Sequence, residues 1–566
     1  MDNVYKFSTI KEMLNNSLEK FADRPAYKIE NRVITYKELK NTVNYLGTEL
    51  VNMGLKGKRI AIIGQNSYNW EISYLAIVCG AGIVVPLDKM LPENELESLI
   101  ERSKVEAIIF DDKYEEVIER ISRKSYNNLK VLINMNKAEN DDVYSNEHIF
   151  SLNELIDNGK KSIQEGNLEY VNQKVNENEM RILLFTSGTT SKSKAVMLSN
   201  KNICSNINAI IETLDVNERD SFLSILPLHH VFECTVGFLY PLSIGAQIVF
   251  GRGLRYILED LKNNNISVLL CVPAIYENIY KNIRKKFEKE GYLNLLEELE
   301  EKAQSCTMQE RKKIFSQIHE TIDNNTKILI SGAAALDPIV EKGFRTWGFN
   351  LVQGYGLTEA SPVIAVESEK GYKLSSIGRP LPGIQAKIDN PNNDGIGELL
   401  VKGDNIMLGY LEDDESTKKT IKDGWLYTGD LATIDEEGFI YICGRKKSVI
   451  VLKNGKNIFP EEMEKLVNKI DGVKESFIFG KSTNKCKDDI KLNVEIVYDK
   501  NEVKELYNVT TVDEIYKTFH EKIKQVNSIM PSYKAIKGIV FSEEPLIKTA
   551  TNKIKRNENI ARINKL

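Results

Sequence analysis

The chain has 566 residues, 42% of them hydrophobic and 28% charged, with a formal net charge of -5. That length exceeds what a single core supports, so a large domain and at least one smaller unit are expected, while the mild acidity excludes the basic footprint of a nucleic-acid binder. Seven scattered cysteines without a C-x-x-C pair argue for reduced thiols rather than a disulfide framework or zinc site, and five histidines leave little material for a metal cluster.

The N-terminus has no basic segment leading into an apolar one. The most apolar stretches, 75–87 and 236–250, are too short or too interrupted to supply the ~20 apolar residues of a spanning helix. A cytoplasmic protein is expected, with peripheral membrane contact left open. Thr35-Tyr-Lys-Glu-Leu opens a helix with a hydroxyl cap and a glutamate three residues on. Arg59-Ile-Ala-Ile-Ile-Gly, Ile83-Val-Val-Pro-Leu and Val105-Glu-Ala-Ile-Ile-Phe read as buried strands between helices, which is the rhythm of parallel βαβ units. Residues 134–178, rich in Asn, Asp, Glu and Lys, are expected to form a surface excursion.

The short apolar run Ile182 to Phe185 then empties into Thr186-Ser-Gly-Thr-Thr-Ser-Lys-Ser-Lys194. Glycine lets a backbone approach phosphate, hydroxyls and N–H groups donate, and Lys194 brings charge. The spacing is not that of a Walker loop, and a plain Ser/Thr-rich turn is the competing reading. Strand candidates resume at Ser221-Phe-Leu-Ser-Ile-Leu, Gln247-Ile-Val-Phe, Ser267-Val-Leu-Leu-Cys-Val and Lys327-Ile-Leu-Ile. The charged segment 281–325 is expected to form helices on the surface. Gln353-Gly-Tyr-Gly-Leu-Thr-Glu359 follows a strand and places Tyr355 between two glycines, able to stack on a flat ring. Thr358 and Glu359 come next, suited to phosphate and a divalent cation. A structural hairpin is equally consistent with that turn. From about 375 the pattern becomes short strands and Gly-rich turns, an all-β subdomain. Asp423-Gly-Trp-Leu-Tyr-Thr-Gly-Asp430 sets a carboxylate after a glycine, able to accept from two ribose hydroxyls or simply to cap a turn. Gly444-Arg-Lys-Lys447 stands where the β region ends and is a candidate hinge. Lys548-Thr-Ala-Thr-Asn-Lys-Ile-Lys-Arg556 is a basic C-terminal loop, readable on composition alone as a solvated tail.

Phe185-Thr-Ser-Gly-Thr-Thr, Gly354-Tyr-Gly-Leu-Thr-Glu, Tyr427-Thr-Gly-Asp and Gly444-Arg-x-Lys, in this order and at these separations, resemble the adenylate-forming (AMP-binding) superfamily of acyl-CoA synthetases along essentially the whole chain. Leu226-Pro-Leu-His-His-Val-Phe-Glu233 and Ile450-Val-Leu-Lys-Asn-Gly-Lys-Asn-Ile-Phe-Pro-Glu-Glu are similar to segments of its long-chain fatty acyl branch. The resemblance implies an α/β fold. An AMP-binding N-terminal domain of βαβ subdomains, with a β subdomain, would span 1–444, and a small mobile α+β domain 445–566, hinged near Lys447. It implies activation of a fatty acid by ATP, with Mg²⁺, to an acyl-adenylate, followed by transfer to CoA. Thr186, Ser187, Gly188, Thr189, Thr190 and Lys194 would meet the phosphates. Gly332, Ala333, Ala334, Gln353, Gly354, Tyr355, Gly356, Leu357 and Thr358 would line the nucleotide, and Asp430 and Arg445 would hold the ribose. Glu359 would hold the metal ion, Lys553 would bridge carboxylate and nucleotide, and His230 would face the acyl site, either shielding the adenylate or assisting thiol attack. Lys453 and Gly455 would guide the thiol of CoA. His229, beside His230 on an extended segment, is expected to point to the opposite face as a structural residue.

Ser191, Ser193 and Ala195 replace the Gly, Pro and Gly usual in the family, and Asn552 replaces the glycine before the catalytic lysine. These changes leave every charged partner present and are not read as loss of activity; of three readings, the first leads. The first is a long-chain fatty acid–CoA ligase; the second is an adenylating enzyme with a carrier-protein acceptor or an aryl or short-chain acid. The third is a non-catalytic acyl-nucleotide binding protein, which retention of Lys194, Glu359, Asp430, Arg445 and Lys553 opposes.

Overall fold

The computed structural model describes residues 6–30, 32–124, 128–137, 149–186, 193–323, 325–368, 371–452, 457–483, 486–548 and 554–564. The chain is mixed α/β, with a large N-terminal domain and a smaller C-terminal one. Two large sheets dominate the first. One contains, in spatial order, Gly409–Tyr410, Lys194–Ser199, Met180–Thr186, Gly82–Pro86, Lys58–Ile63, Ala107–Phe110, Val131–Asn134 and Ile149–Ser151. The other runs Arg379–Pro380, Val363–Val366, Leu351–Gly356, Ile328–Ser331, Val268–Cys271, Ser221–Ser224, Gln247–Phe250, Pro25–Ile29 and Arg32–Thr35. The βαβ expectation is met: Lys58–Ile63 is parallel to both Gly82–Pro86 and Ala107–Phe110. The helix Tyr36–Asn52 starts at the anticipated capping box, with Thr35 Oγ1 accepting from the Glu38 N–H and the Glu38 carboxylate accepting from the Thr35 N–H.

Residues 134–178 depart from the expected surface excursion. The strand Ile149–Ser151 extends the first sheet, and the helix Leu152–Gln164 packs on Tyr36–Asn52 so closely that a Cβ on Gly159 would lie 1.9 Å from the Tyr45 carbonyl oxygen. Tyr170 is fully buried, donating to the Ala76 carbonyl at 2.9 Å, and Lys11 donates to the Tyr170 carbonyl at 2.7 Å. A polar composition hid an amphipathic face on which Leu152, Leu155 and Gly159 are buried and Ile156 is half-buried against the core. Residues 138–148 of that stretch lie outside the described ones.

The charged segment after 281 does form helices, Leu293–Lys302, Met308–Ile314 and Ser316–Ile322, following the longer Pro273–Lys289. They roof a second core under the parallel sheet, where Tyr280 stacks on Trp347 at 4.9 Å. The β region is a separate antiparallel sheet of Gln385–Asp389, Gly397–Lys402, Ile421–Lys422, Trp425–Ile434 and Ile440–Arg445. Beyond it, Val473–Thr483, Cys486–Tyr498 and Gly538–Ser542 form a sheet covered by Pro460–Val467 and Val512–Ile529. This smaller domain touches the larger through the Phe459 ring, which packs on Gly444, and through a 2.7 Å ion pair of Lys469 with Asp337. No helix among the described residues is long and apolar enough to cross a membrane.

Candidate functional site

Ser221–Ser224, Val268–Cys271, Ile328–Ser331 and Leu351–Gly356 are mutually parallel, so their carboxyl ends open on one edge of the sheet. In open α/β sheets that edge is where ligands bind. Three of the expected segments leave from it: 226–230, Gly332-Ala-Ala334 and Gly354 to Glu359.

The phosphate-loop candidate is a hairpin whose ends are described and whose tip is not. Thr186 pairs with Lys194, and the Thr186 hydroxyl donates to the Lys194 carbonyl at 3.4 Å. Ser187, Gly188, Thr189, Thr190 and Ser191 lie outside the described residues. Ser193, where the family usually has proline, is instead gripped by Arg102: its hydroxyl accepts from one guanidinium nitrogen at 3.1 Å and its carbonyl from the other at 2.5 Å. The same guanidinium lies over the Phe185 ring, 5.4 Å from its centroid. A side-chain clamp thus restrains the returning limb that lacks proline.

Two chains of contacts then meet at the Gly354-to-Glu359 turn. On one side Glu359 Oε1 accepts from the Tyr410 hydroxyl at 2.8 Å, and Lys194 Nζ lies 4.2 Å from the Tyr410 ring centroid. On the other, the Tyr355 hydroxyl donates to Asp430 Oδ2 at 2.5 Å, while Arg445 Nε lies 2.8 Å from Asp430 Oδ1. Burial, reinforced by the neighbouring Asp430, holds the Tyr355 phenol well above its ordinary value, so it remains a donor. Gly356 is required by close approach: a Cβ there would sit 1.9 Å from the Pro362 carbonyl oxygen. Gly332 is likewise confined, with the Phe232 ring 2.4 Å from where a Cβ would stand. Ala333 takes a left-handed φ of 68°, which turns the chain out beside it; Ala333 and Ala334 are both exposed. Leu357 and Thr358 complete the turn, the Leu357 N–H donating to the Pro362 carbonyl at 2.9 Å.

Gln353 behaves differently from its neighbours. Its side chain turns inward, donating to Glu341 Oε2 at 2.8 Å and accepting from the Leu336 N–H at 3.3 Å. It belongs to a buried cluster in which Arg345 bridges Glu341 at 3.3 Å and Glu367 at 2.7 Å, and Glu367 also accepts from the Gln353 N–H. Burial pushes the Glu367 carboxyl up to about 7 despite the facing Arg345. The cluster ties the strand Leu351–Gly356, which carries Tyr355, to the helix Pro338–Thr346, and it takes up the Gln353 side chain.

The histidine pair corrects the extended-segment expectation. Residues 228–230 form a turn, and the His229 and His230 rings lie side by side at 4.2 Å rather than on opposite faces. His229 Nε2 is 3.5 Å from Asp88 Oδ1. Although burial pushes the other way, His229 and the Met90 N–H hold the Asp88 carboxyl below its ordinary value. Glu233, closing the same segment, is fully buried and accepts from the Ser224 hydroxyl at 2.9 Å.

Lys447 is exposed in the turn Lys446–Ser448 between the two domains, and Lys446 beside it donates to Glu398 at 2.6 Å. Lys453, Gly455, Asn552 and Lys553 lie outside the described residues. No group of three or more His, Cys, Asp or Glu among the described residues could cage a metal ion. A lone carboxylate, Glu359, fits Mg²⁺ bound mainly through phosphate oxygens and water. Tyr410, Arg102 and Asp88 escaped the sequence reading; their partners lie 51, 91 and 141 residues away in the chain, and no local pattern marks them.

The AMP-binding enzyme family matches residues 14–411 and its C-terminal domain residues 447–565, and the chain belongs to that adenylate-forming family. Long-chain-fatty-acid–CoA ligase of Salmonella typhimurium is 27% identical over 98% of this chain and 95% of its own. Long-chain-fatty-acid–CoA ligase 5 of Rattus norvegicus is 28% identical over 79% of this chain and 69% of its own. Among solved structures, the anthranilate CoA ligase AuaEII with anthranoyl-AMP superposes with a TM-score of 0.76 at 19% identity, covering 99% of this chain and 98% of that one. The ATP-bound MatB of Rhodopseudomonas palustris gives 0.74 at 22%, covering 98% of each.

Proposed function

We propose that this chain activates a long-chain fatty acid with ATP and transfers the acyl group to CoA, releasing pyrophosphate and AMP. The observation that carries the reading is the convergence of Lys194, Tyr410 and Glu359 with Tyr355, Asp430 and Arg445 on one short turn at the carboxyl edge of the sheet. The relatives aligned over most of the chain, named as long-chain ligases, support the acid class.

In the first half-reaction a carboxylate oxygen attacks the α-phosphorus and the bond to pyrophosphate breaks. An anion must approach a polyanion, so the requirement is charge neutralisation and alignment. Thr186, Lys194 and the intervening Ser187, Gly188, Thr189 and Thr190 would hold the phosphates. Gly332, Ala333, Ala334 and the turn from Gly354 to Thr358 would receive the base against Tyr355. Asp430, oriented by Arg445 and Tyr355, would accept from the ribose hydroxyls. Mg²⁺, held through Glu359, would offset charge on the departing pyrophosphate. Lys553 would bridge carboxylate and nucleotide, and its loss would cost on the order of two to three powers of ten in adenylation.

In the second half-reaction a thiolate attacks the mixed anhydride and AMP leaves. Rotation of the small domain about Lys447 would withdraw Lys553 and bring Lys453 and Gly455 to the thiol's path, with His230 at the mouth of the acyl site.

ATP–pyrophosphate exchange across fatty acids of graded length, with aryl and short-chain acids alongside, tests the acid. Exchange peaking with long chains supports the reading. Exchange confined to aryl or short acids overturns it, and acyl transfer only to a holo carrier protein overturns the CoA acceptor.

A further inference from the structure

Tyr410 serves two oppositely charged side chains at once. Its hydroxyl donates to Glu359 Oε1 at 2.8 Å while its ring lies under the Lys194 ammonium, 4.2 Å from Nζ to centroid. The residue is 4% exposed and its backbone is tightly set. It pairs with Val196 on the hairpin's returning strand, and its N–H donates to the Thr417 hydroxyl at 2.9 Å. Gly409 before it has a φ of 140°, and a Cβ there would come within 2.9 Å of Thr417.

Glu359 and Lys194 belong to different sheets, the first following Leu351–Gly356 and the second opening Lys194–Ser199. Direct pairing of that carboxylate with that ammonium would neutralise both before any ligand arrived. The tyrosine instead offers the ammonium a π face and the carboxylate a hydroxyl.

We propose that Tyr410 is a positioning residue that keeps Glu359 and Lys194 apart and preset, one for a divalent cation and the other for phosphate. The proposal rests on the nucleotide reading of this edge. Tyr410→Phe keeps the ring and removes the hydroxyl; Tyr410→Leu removes both. Free Mn²⁺ followed by electron paramagnetic resonance in the presence of ATP reads the cation side. Calorimetric titration with ATP and no metal reads the phosphate side, and pyrophosphate exchange reads the reaction.

Tyr410→Phe is expected to weaken Mn²⁺ binding in the ATP complex about tenfold, the scale of one hydrogen bond to a charged group, with metal-free ATP affinity within about twofold of the parent. Tyr410→Leu is expected to weaken both. Wild-type Mn²⁺ and ATP affinities in Tyr410→Phe overturn the proposal, as does equal weakening of the two. Tyr410→Phe decides the matter even if the leucine variant does not fold. Absence of exchange by the unmodified protein with every acid refutes the nucleotide reading instead, so the two failures are distinguishable.

Discussion

Glu233→Gln tests the electrostatics beneath the histidine turn. Glu233 is fully buried, and Gly237 is packed so closely that a Cβ there would lie 2.7 Å from the carboxyl carbon. Burial pushes its carboxyl from the ordinary 4.5 up to about 8, against the opposing hydrogen bonds from the Ser224 hydroxyl and the Ile225 N–H. The folded state therefore retains a proton that the unfolded chain releases. Stability from this group is complete below pH 4.5 and is lost as pH rises toward 8. At 1.36 kcal/mol per pH unit the loss amounts to about 3 kcal/mol by pH 7. Glutamine imitates the protonated acid and does not titrate. The stability difference between variant and parent should therefore grow in the variant's favour by about 2 kcal/mol between pH 5.5 and 7. Urea unfolding followed by fluorescence of Trp70 and Trp347, both buried in the large domain, reads it. Parallel pH profiles would show Glu233 ionised within the fold and refute the reasoning. The absolute offset is less diagnostic than the slope, because the glutamine NH₂ replaces Glu233 Oε2, which has no hydrogen-bond partner.

Arg345→Met should destabilise the same transition by about 3–5 kcal/mol, since it strands the buried carboxylates of Glu341 and Glu367. Adding Glu367→Gln should recover part of that loss; no recovery would mean the pair is not what Arg345 compensates. Arg102→Ala releases Ser193, and the KM for ATP in pyrophosphate exchange should rise about fivefold, the scale of a part-exposed charged hydrogen bond. An unchanged KM would show that the hairpin needs no clamp.

Fold class was legible because apolar runs such as Arg59-Ile-Ala-Ile-Ile-Gly are strands buried on both faces, a signal that survives without alignment. The stretch after 134 misled because a few inward residues in a polar helix carry little compositional weight, though the packing on Tyr36–Asn52 is tight. In the Gly354-to-Glu359 segment close approach demands one of the two glycines, Gly356, while a Cβ on Gly354 would meet nothing nearer than 3.7 Å; Asp430, expected after a glycine turn, stands within the strand Trp425–Ile434 beside Gly429, whose φ is 72°. Gln353, expected to line the nucleotide, turns its side chain to Glu341, 12 residues back, a partner no local pattern marks. The histidine pair turned out adjacent because residues 228–230 bend, which two consecutive histidines do not signal. Tyr410 could not be seen at all, since its meaning lies in bridging two sheets.

Mass-spectrometric detection of the intermediate tests the central claim most directly: the protein is incubated with ATP, Mg²⁺ and a long-chain fatty acid, first without CoA and then with it. Enzyme-bound acyl-AMP should accumulate in the first mixture and be replaced by acyl-CoA and free AMP in the second. Failure of any acyl-adenylate to form, or an adenylate that CoA leaves intact, would contradict the account.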